Sequence, residues 1–449
     1  MSSEIDSATL LSQASQLIDL ALAAGADKAD AVVVRSRSRS VSVRLGKVEA
    51  TEASESDDFA LRVFVGNRVA SISATPGATD ARIIAERAVA MAKVSPEDPF
   101  ACLADETDLS RNYPDLDLFD PTEIPTDALA EAALAAEAAA MAIPGVANSS
   151  GAGASAGMGG MVLATSHGFS GSYMGSRFGR SVSVIAGEGT KMERDYDFDS
   201  RLYFADLDSP EEIGRRAGER TVKRLNPRQV DTGRNVTVVF DPRVARGFVG
   251  HIAAAINGAS VARKTSFLRD KMGQQVLKSG LTITDDPLIV RGPSSRPFDG
   301  EGVTGQKLAM IEDGVLRHWF LSTSTARELG LKTNGRGARG GSYVNPTSTN
   351  LTLEPGTIDP EVLIRQVGTG FYVTELIGQG VNMITGEYSR GATGFWIENG
   401  EIAYPVSEVT IASNLKDMFM RVTPANDIDR SFSVVAPTIA IEGMTLAGR

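Results

Sequence analysis

The sequence predicts an α+β fold in three parts: an N-terminal antiparallel sheet with amphipathic helices, a central mixed segment and a β-rich C-terminal domain. Three observations favour this class. Two helix-period segments bracket a stretch in which apolar and polar residues alternate, which is typical of strands packed on helices. The glycine- and serine-rich middle of the chain carries short β-type runs. The C-terminal half consists mostly of short strands separated by turn signals.

The first part, residues 1–95, is predicted to begin with a helix over residues 7–24 that Gly25 closes. Gly66-Asn67 lies between two strand-like runs and suits a tight hairpin turn. A second amphipathic helix is predicted over residues 80–93, with Thr79 as its N-cap. The alternate arginines of residues 35–39 are interpreted as one exposed strand face. The predicted strands cover residues 31–35, 41–45, 48–53, 59–65 and 68–73.

A connection and a central domain follow. Residues 96–125 are rich in proline and aspartate and are expected to run over the surface. The central domain, residues 126–230, is expected to contain an alanine-rich helix over residues 126–142 and a second helix that Ser209 caps and that ends at residue 225. Its glycines do not open a helix in the P-loop pattern, so a phosphate loop is not predicted. Strands are predicted at residues 161–165, 170–176 and 180–186, with His167-Gly168 at a turn.

The C-terminal domain, residues 231–449, opens on a strand that feeds a helix. Residues 236–240 are β-branched or aromatic, and Asp241-Pro242 then supplies an N-cap followed by a proline at the first helical position. One face of this helix is apolar, whereas the neighbouring flank, on which His251 lies, has only small residues. The apolar face consists of Val244, Phe248, Ile252 and Ile256, and the small flank of Gly247, Ala254 and Gly258. Small residues on one flank of a helix allow another segment to pack closely against it.

Short strands and turns are predicted for the rest of this domain. Hairpins are expected with turns at residues 312–314 and 399–400, and residues 413–422 form the one convincing late helix. The glycine-rich loop of residues 333–351 holds Arg336 and Arg339. A carboxylate- or phosphate-binding loop is one interpretation, but a flexible loop with solvated charge is the preferred one.

The composition argues against several classes of protein. The 449 residues carry 45 Lys+Arg against 56 Asp+Glu, a net charge of −11, which argues against a general nucleic-acid binder. No apolar run reaches the roughly twenty residues that span a bilayer, so no membrane association is expected. The single cysteine and the acidic, amphipathic N terminus, which is unlike a secretory signal, predict a cytoplasmic location.

His251 raises the question of a metal site. In zinc peptidases two histidines about one helical turn apart hold the metal, and an adjacent glutamate activates water. Here Ile252 follows the histidine, and Ala254 and Ala255 lie one turn on, so none of these neighbours can bind zinc. A packed or hydrogen-bonded histidine is therefore preferred over a metal ligand.

This segment resembles the TldD/PmbA family, also called modulator of DNA gyrase proteins, whose TldD members carry His-Glu-x-x-x-His here. In this sequence Gly250 and Ala255 stand where the two histidines would be, and His251 stands where the glutamate would be. The family's third ligand is a cysteine in the C-terminal part, but the only cysteine here is Cys102. The chain is therefore similar to the PmbA (TldE) branch. Further matches are the Pro-x-x-x-Asn-Leu start at residues 346–351, Gly-Phe-Tyr-Val at 370–373, and the segment from Thr385 to Gly394.

The resemblance implies a non-catalytic subunit of a heterodimeric metallopeptidase, with no cofactor in this chain and zinc on the TldD-type partner. It also implies an internal chamber in which unfolded peptide lies extended and pairs with strand edges. Asn350, Gly386, Ser389 and Gly394 are the peptide-binding candidates within the matching segments. A homodimer is the alternative assembly in the absence of a partner.

Two other functions stay open. One is a self-sufficient homodimeric peptidase with a site that the motifs do not reveal, and the other is a regulatory binding protein linked to DNA gyrase. A serine hydrolase is disfavoured, because no Gly-x-Ser-x-Gly elbow joins a strand to a helix. His167, His251 and His318 are the only histidines, and His318 is expected to pack at a strand end.

Overall fold

The structure, a computed structural model, describes residues 6–75, 79–340 and 343–449. Its first sheet is antiparallel and has the order β3-β2-β1-β4-β5-β6. Central strand β1 pairs with β2 on one side and with β4 on the other, from Asp30 to Val43. The first two predicted domains thus share one sheet, and the predicted boundaries at 95, 125 and 230 stay a prediction. The strands are β1 Lys28–Arg44, β2 Lys47–Val65, β3 Arg68–Ala74, β4 Val146–Thr165, β5 Ser170–Ala186 and β6 Glu193–Arg201.

The strands of this sheet are longer than the sequence suggested. The predicted strands at 31–35 and 41–45 form the single strand β1, and those at 48–53 and 59–65 form β2. The glycine- and serine-rich stretch before residue 161 belongs to β4, and β5 is continuous from Ser170 to Ala186. Because neighbouring strands supply backbone partners on both sides, weak intrinsic strand preference is overridden here. Arg37 and Arg39 are exposed on β1, as predicted.

Four helices cover one face of the first sheet. They are α1 Ser7–Ala23, α2 Ala81–Val94, α3 Thr126–Met141 and α4 Pro210–Lys223. The first two pack over the end of the sheet that holds β3, and the other two pack over β5 and the far ends of β1 and β4. Ser209 caps α4 as predicted, but the side chain that caps α2 is Asp80 rather than Thr79. The amphipathic N-terminal helices are thereby confirmed.

The C-terminal region is built around a second sheet with the order β16-β15-β14-β7-β19-β17, which an additional pairing of β16 with β19 makes barrel-like. Its strands are β7 Gly233–Phe240, β14 Gly370–Ile377, β15 Glu387–Glu398, β16 Glu401–Asn414, β17 Val422–Pro424 and β19 Ile439–Ala447. A large apolar core joins this sheet to the helix that follows β7, α5 Pro242–Ala255. The predicted β-rich C-terminal domain and the predicted hairpin turn at residues 399–400 are confirmed.

A third sheet has the order β10-β9-β8-β13-β18, and a separate hairpin pairs β11 with β12. These strands are β8 Ile283–Asp286, β9 Leu308–Glu312, β10 Val315–Leu316, β11 Gly337–Gly340, β12 Tyr343–Pro346, β13 Asn350–Leu353 and β18 Val434–Val435. The remaining helices are α6 Gly258–Ala262, α7 Thr323–Glu328, α8 Pro360–Val367 and α9 Leu415–Arg421. The last lies within the predicted helix at 413–422, whereas α7 and α8 were not predicted. None of the helices in the described residues is long and apolar enough to cross a membrane.

In the described residues of the glycine-rich loop at 333–351 the side chains of both arginines are buried, so the prediction of solvated charge is wrong. The Arg336 side chain is fully buried, and its Nε donates to Asp285 Oδ2 at 2.6 Å. Arg339 reaches the first sheet, where its Nη2 lies 2.6 Å from Asp30 Oδ2. Both arginines have carboxylate partners distant in sequence, which is why local composition did not reveal their burial.

Candidate functional site

The helix that carries the metal-motif positions is fixed at its start. Asp241 caps it by accepting the amide N–H of Arg243 at 2.9 Å, and Pro242 occupies its first turn, as predicted. The hydroxyl of Tyr372 on β14 donates to the other oxygen of Asp241 at 3.1 Å. The buried face then includes Phe248 and Ile252, so α5 is held against the C-terminal core. Its rotation about its own axis is therefore set by packing and not by a metal.

His251 lies at the edge of that buried face. Its ring meets the ring of Tyr388 on β15 edge-on, with centroids 5.9 Å apart. Burial lowers the pKa of His251 below its usual value, and the positive charge of Arg390 lowers it further. Burial raises the pKa of Tyr388. Near neutral pH the imidazole of His251 and the phenol of Tyr388 are both uncharged, which suits their packing against each other. Neither side chain supplies a carboxylate that could activate water.

The two ligand positions offer nothing to a metal. At Gly250 no atom lies within 4 Å of where a Cβ would stand, so the space in front of the helix is open. Ala255 is fully buried, and its backbone carbonyl accepts a hydrogen bond from Ser266. Within the described residues no group of three His, Cys, Asp or Glu side chains could hold a metal ion. The donor set around α5 therefore does not fit a three-ligand zinc centre.

Cys102 is also unsuited to complete such a centre. It is buried in the segment between α2 and α3, where the charged groups that act on it include Arg327 and Glu301. Burial raises the pKa of its thiol, which disfavours the thiolate that binds zinc.

A shallow pocket of about 570 Å³ lies against the same tyrosine. It is lined by Gln379, Gly380, Val381, Asn382, Glu387, Tyr388, Ser389 and Ser413. Two of the predicted peptide-binding residues belong to this region. Ser389 is exposed in the pocket, and its N–H donates to the carbonyl of Gly380 at 2.7 Å. Gly386 adopts a φ of 87° in the turn before β15, which favours glycine.

The other two candidates lie elsewhere. Asn350 is 4% exposed, and its amide is used within the chain, where it accepts from Ser294 N–H and donates to Ser295 and to the carbonyl of Asp286. Gly394 lies inside the second sheet, where a Cβ would come 1.9 Å from the carbonyl oxygen of Tyr372. Internal packing thus accounts for both residues.

The pocket brings together residues that sequence reasoning did not single out. The main examples are Tyr388, which joins the pocket to His251, and Asn382, which forms the outer turn of the pocket. A signal was present, since Tyr388 lies between two candidates in the segment from Thr385 to Ser389. The contact with His251 joins residues more than 130 positions apart, which no local pattern could show.

Three family models match the chain in succession. They describe domain 1, the central domain and the C-terminal domain of the PmbA/TldA metallopeptidase, over residues 29–92, 119–225 and 232–448. This chain belongs to the PmbA/TldD metallopeptidase family. The family resemblance inferred from the metal-motif positions is therefore confirmed.

Relatives with known names support the PmbA branch. Metalloprotease PmbA of Escherichia coli O157:H7 is 40% identical over 435 residues, covering 96% of this chain and 94% of that protein. The Metalloprotease PmbA homolog of Haemophilus influenzae is 38% identical over 434 residues, with the same shares covered.

Solved structures share the fold. A putative modulator of DNA gyrase from Bacteroides thetaiotaomicron has a TM-score of 0.90 at 27% identity, covering 98% of each chain. TldE from Thermococcus kodakarensis has a TM-score of 0.85 at 22% identity, covering 97% of this chain and 100% of that one. The second likeness concerns the fold alone.

Proposed function

We propose that this PmbA/TldD family chain is a non-catalytic subunit that pairs with a TldD-type metallopeptidase, which carries the zinc. The observation that carries the proposal is the state of the three motif positions. Gly250 and Ala255 have no donor atom, and His251 packs on Tyr388 with a lowered pKa. A helix in this state still presents an open, small-residue flank, because a Cβ added at Gly247 or Gly250 would meet no neighbour within 4 Å.

The role of this subunit, in our proposal, is to hold unfolded peptide in a chamber shared with the partner. An extended peptide would add to the backbone at residues 379–382, beside the pocket. This segment already pairs with β15 on one side, through Val381 and Tyr388. The carbonyl of Val381 has no hydrogen-bond partner in the described part of the chain. Main-chain pairing would give affinity with little dependence on sequence, which suits unfolded substrates. We place the complex in the cytoplasm.

The test is co-expression with a TldD-type subunit, followed by measurement of mass, zinc content and cleavage of an unfolded peptide. We expect a complex of both chains, with zinc and cleavage only when the partner is present. In that complex Ser389→Arg should reduce cleavage by filling the pocket, whereas Ser279→Arg, at a surface serine that does not line the pocket, should not. Absence of a complex, together with unchanged peptide cleavage by the partner, would refute the pairing.

A self-sufficient homodimeric metallopeptidase is the second candidate. Relatives that cover nearly all of this chain are named Metalloprotease PmbA, which is the observation in its favour. It requires about one zinc per chain in the purified protein alone and cleavage that a chelator abolishes. Neither property is expected of this chain if it is the non-catalytic subunit, so one preparation of the purified chain decides between the two functions.

A further inference from the structure

A small arginine-rich pocket lies where the first sheet meets the C-terminal region. Its volume is about 280 Å³. Two strands of the first sheet, β5 and β6, form one wall, and the loops at residues 291–293 and 429–431 form the other. Four arginines and two aspartates line it, in a chain whose net charge is −11. The charged residues are Arg177, Arg201, Arg291, Arg430, Asp206 and Asp429.

Arg177 is the arginine of this pocket without a carboxylate partner in the described residues. Its Nη2 donates to the carbonyl of Pro293 at 2.7 Å, and its Nη1 lies 3.5 Å from the hydroxyl of Ser200. Its side chain is exposed, and partial loss of hydration lowers the pKa of its guanidinium. An accessible positive charge that lacks a counter-ion attracts an anion.

The other three arginines keep donors free while they are held in place. The Nε of Arg201 pairs with Asp199 and the Nε of Arg291 with Asp117, so both terminal nitrogens of each lack a partner in the described residues. Arg430 uses one terminal nitrogen for Glu354. These ion pairs fix the guanidinium planes, which lowers the entropy cost of binding a ligand.

Two further details distinguish this pocket from an ordinary surface ion-pair network. The backbone of Arg291 has a φ of 54°, which is strained for arginine, and its guanidinium stacks on Tyr203 with 3.6 Å to the ring centroid. The hydroxyl of Ser431, which lines the pocket, is buried and has no hydrogen-bond partner in the described part of the chain. Arg291 and Ser431 therefore line the same small pocket.

We propose that this pocket binds a small oxyanion of the phosphate class, free or as the phosphate group of a small ester. Its volume lies just below the range of about 300–1,000 Å³ that drug-sized ligands occupy, so a larger molecule would leave most of itself outside. Planar guanidinium groups suit phosphate oxygens because each can donate two parallel N–H bonds. The ligand would join the first sheet to the loops of the C-terminal region. This inference does not depend on the proposed subunit function.

The test is calorimetric titration of the purified full-length chain with inorganic phosphate and with glycerol 3-phosphate, at constant ionic strength set with sodium chloride. We expect saturable binding of about one ligand per chain. Tighter binding of inorganic phosphate would indicate a site for the free anion, and tighter binding of glycerol 3-phosphate a site for a phosphate ester. Arg177→Ala should weaken binding by about tenfold or more, the usual effect of losing a charge-assisted hydrogen bond. Arg269→Ala, at an exposed arginine outside the pocket, should leave binding unchanged.

Arg430→Ala is a second variant in case Arg177→Ala fails to fold, because Arg430 is 54% exposed and makes few contacts. Circular dichroism melting of each variant establishes folding before titration. No saturable binding of either ligand would overturn the proposal, as would equal affinities of the wild type and both pocket variants.

Discussion

Glu301→Gln is expected to remove a pH dependence from the stability of the protein. Glu301 is 2% exposed, and its Oε2 accepts hydrogen bonds from the backbone N–H and the hydroxyl of Thr323, at 2.7 and 2.9 Å. Burial raises its pKa to about 7, and the carboxylate of Asp299 contributes to the rise, opposed by Arg62. Burial raises the pKa of Asp299 as well, but its carboxylate accepts three backbone N–H bonds that favour the charged form, so we assign the proton to Glu301.

The sign and size of the effect follow from linkage. An unfolded glutamate has a pKa of about 4.3, so between that pH and about 7 the folded chain binds a proton that the unfolded chain has lost. The free energy of unfolding therefore falls as the pH rises through this window. Between pH 5 and pH 8 the wild type should lose about 2–3 kcal/mol relative to Glu301→Gln. The variant, which keeps an acceptor for Thr323, should be the more stable protein at pH 8.

Urea unfolding at pH 5, 6, 7 and 8, followed by tryptophan fluorescence, measures this difference. Both tryptophans, Trp319 and Trp396, lie in the C-terminal region that contains Glu301, so the signal reports on the relevant part of the chain. Burial lowers the pKa of His251 and of His318, which makes stability rise with pH, but both proteins share this effect and subtraction removes it. Parallel pH profiles of the wild type and the variant would refute the assignment of the proton to Glu301.

Four further substitutions test the packing. Glu137→Ala removes the buried carboxylate that accepts two backbone N–H groups of the β1–β2 turn, and should lower the free energy of unfolding by about 2–3 kcal/mol in urea titrations. Arg336→Met leaves Asp285 buried without its ion-pair partner and should cost about 3–5 kcal/mol in the same assay. Gly394→Ala should lower the melting temperature because its Cβ has no room, whereas Gly247→Ala, in an open helical position, should raise the free energy of unfolding by about 0.5–1 kcal/mol.

Matched surface variants separate these effects from a general loss of charge. Glu131→Ala lies on the same helix as Glu137 but at an exposed position, and Arg317→Met replaces an arginine that is 47% exposed. Both are expected to change the free energy of unfolding by less than about 0.5 kcal/mol. If Glu131→Ala proved as destabilising as Glu137→Ala, the turn contact would not be the cause. If Arg317→Met matched Arg336→Met, burial of the Arg336 pair would not explain its cost.

Local signals in the sequence predicted the elements that short-range chemistry determines. The cap and proline at Asp241-Pro242 predicted the start of α5, and Asn399-Gly400 predicted a hairpin turn. Asp359-Pro360 carries the same cap signal for α8, so that missed helix was within reach of the same reasoning. The length of β1 could not be predicted from local signals, because β1 pairs with β4, whose residues lie more than 100 positions away in the sequence.

The candidate site was predictable to a similar degree. Gly250, His251 and Ala255 all lie on α5, the helix that the cap signal predicted. The helix ends at Ala255, so Gly258 of the predicted small flank lies on α6 instead, where a Cβ would come 2.5 Å from the carbonyl oxygen of Phe320. The pocket beside Tyr388 required knowledge of which strands meet, since β15 reaches α5 only through the folded C-terminal core. The buried arginines of the loop at 333–351 show the same limit, because their carboxylate partners are Asp285 and, in another sheet, Asp30.

The geometry also explains how α5 keeps its place although Gly250 and Ala255 carry no metal donors. In a small zinc domain the metal supplies the folding energy, so removing a ligand unfolds the chain. Here α5 is anchored instead by its cap at Asp241 and by Phe248 and Ile252 in the C-terminal core. Gly250 faces open space and contributes nothing to that core. Because the cap and the buried face already hold α5, this helix keeps its place with no metal donor at Gly250 or Ala255, and the shape of the C-terminal region rests on apolar packing.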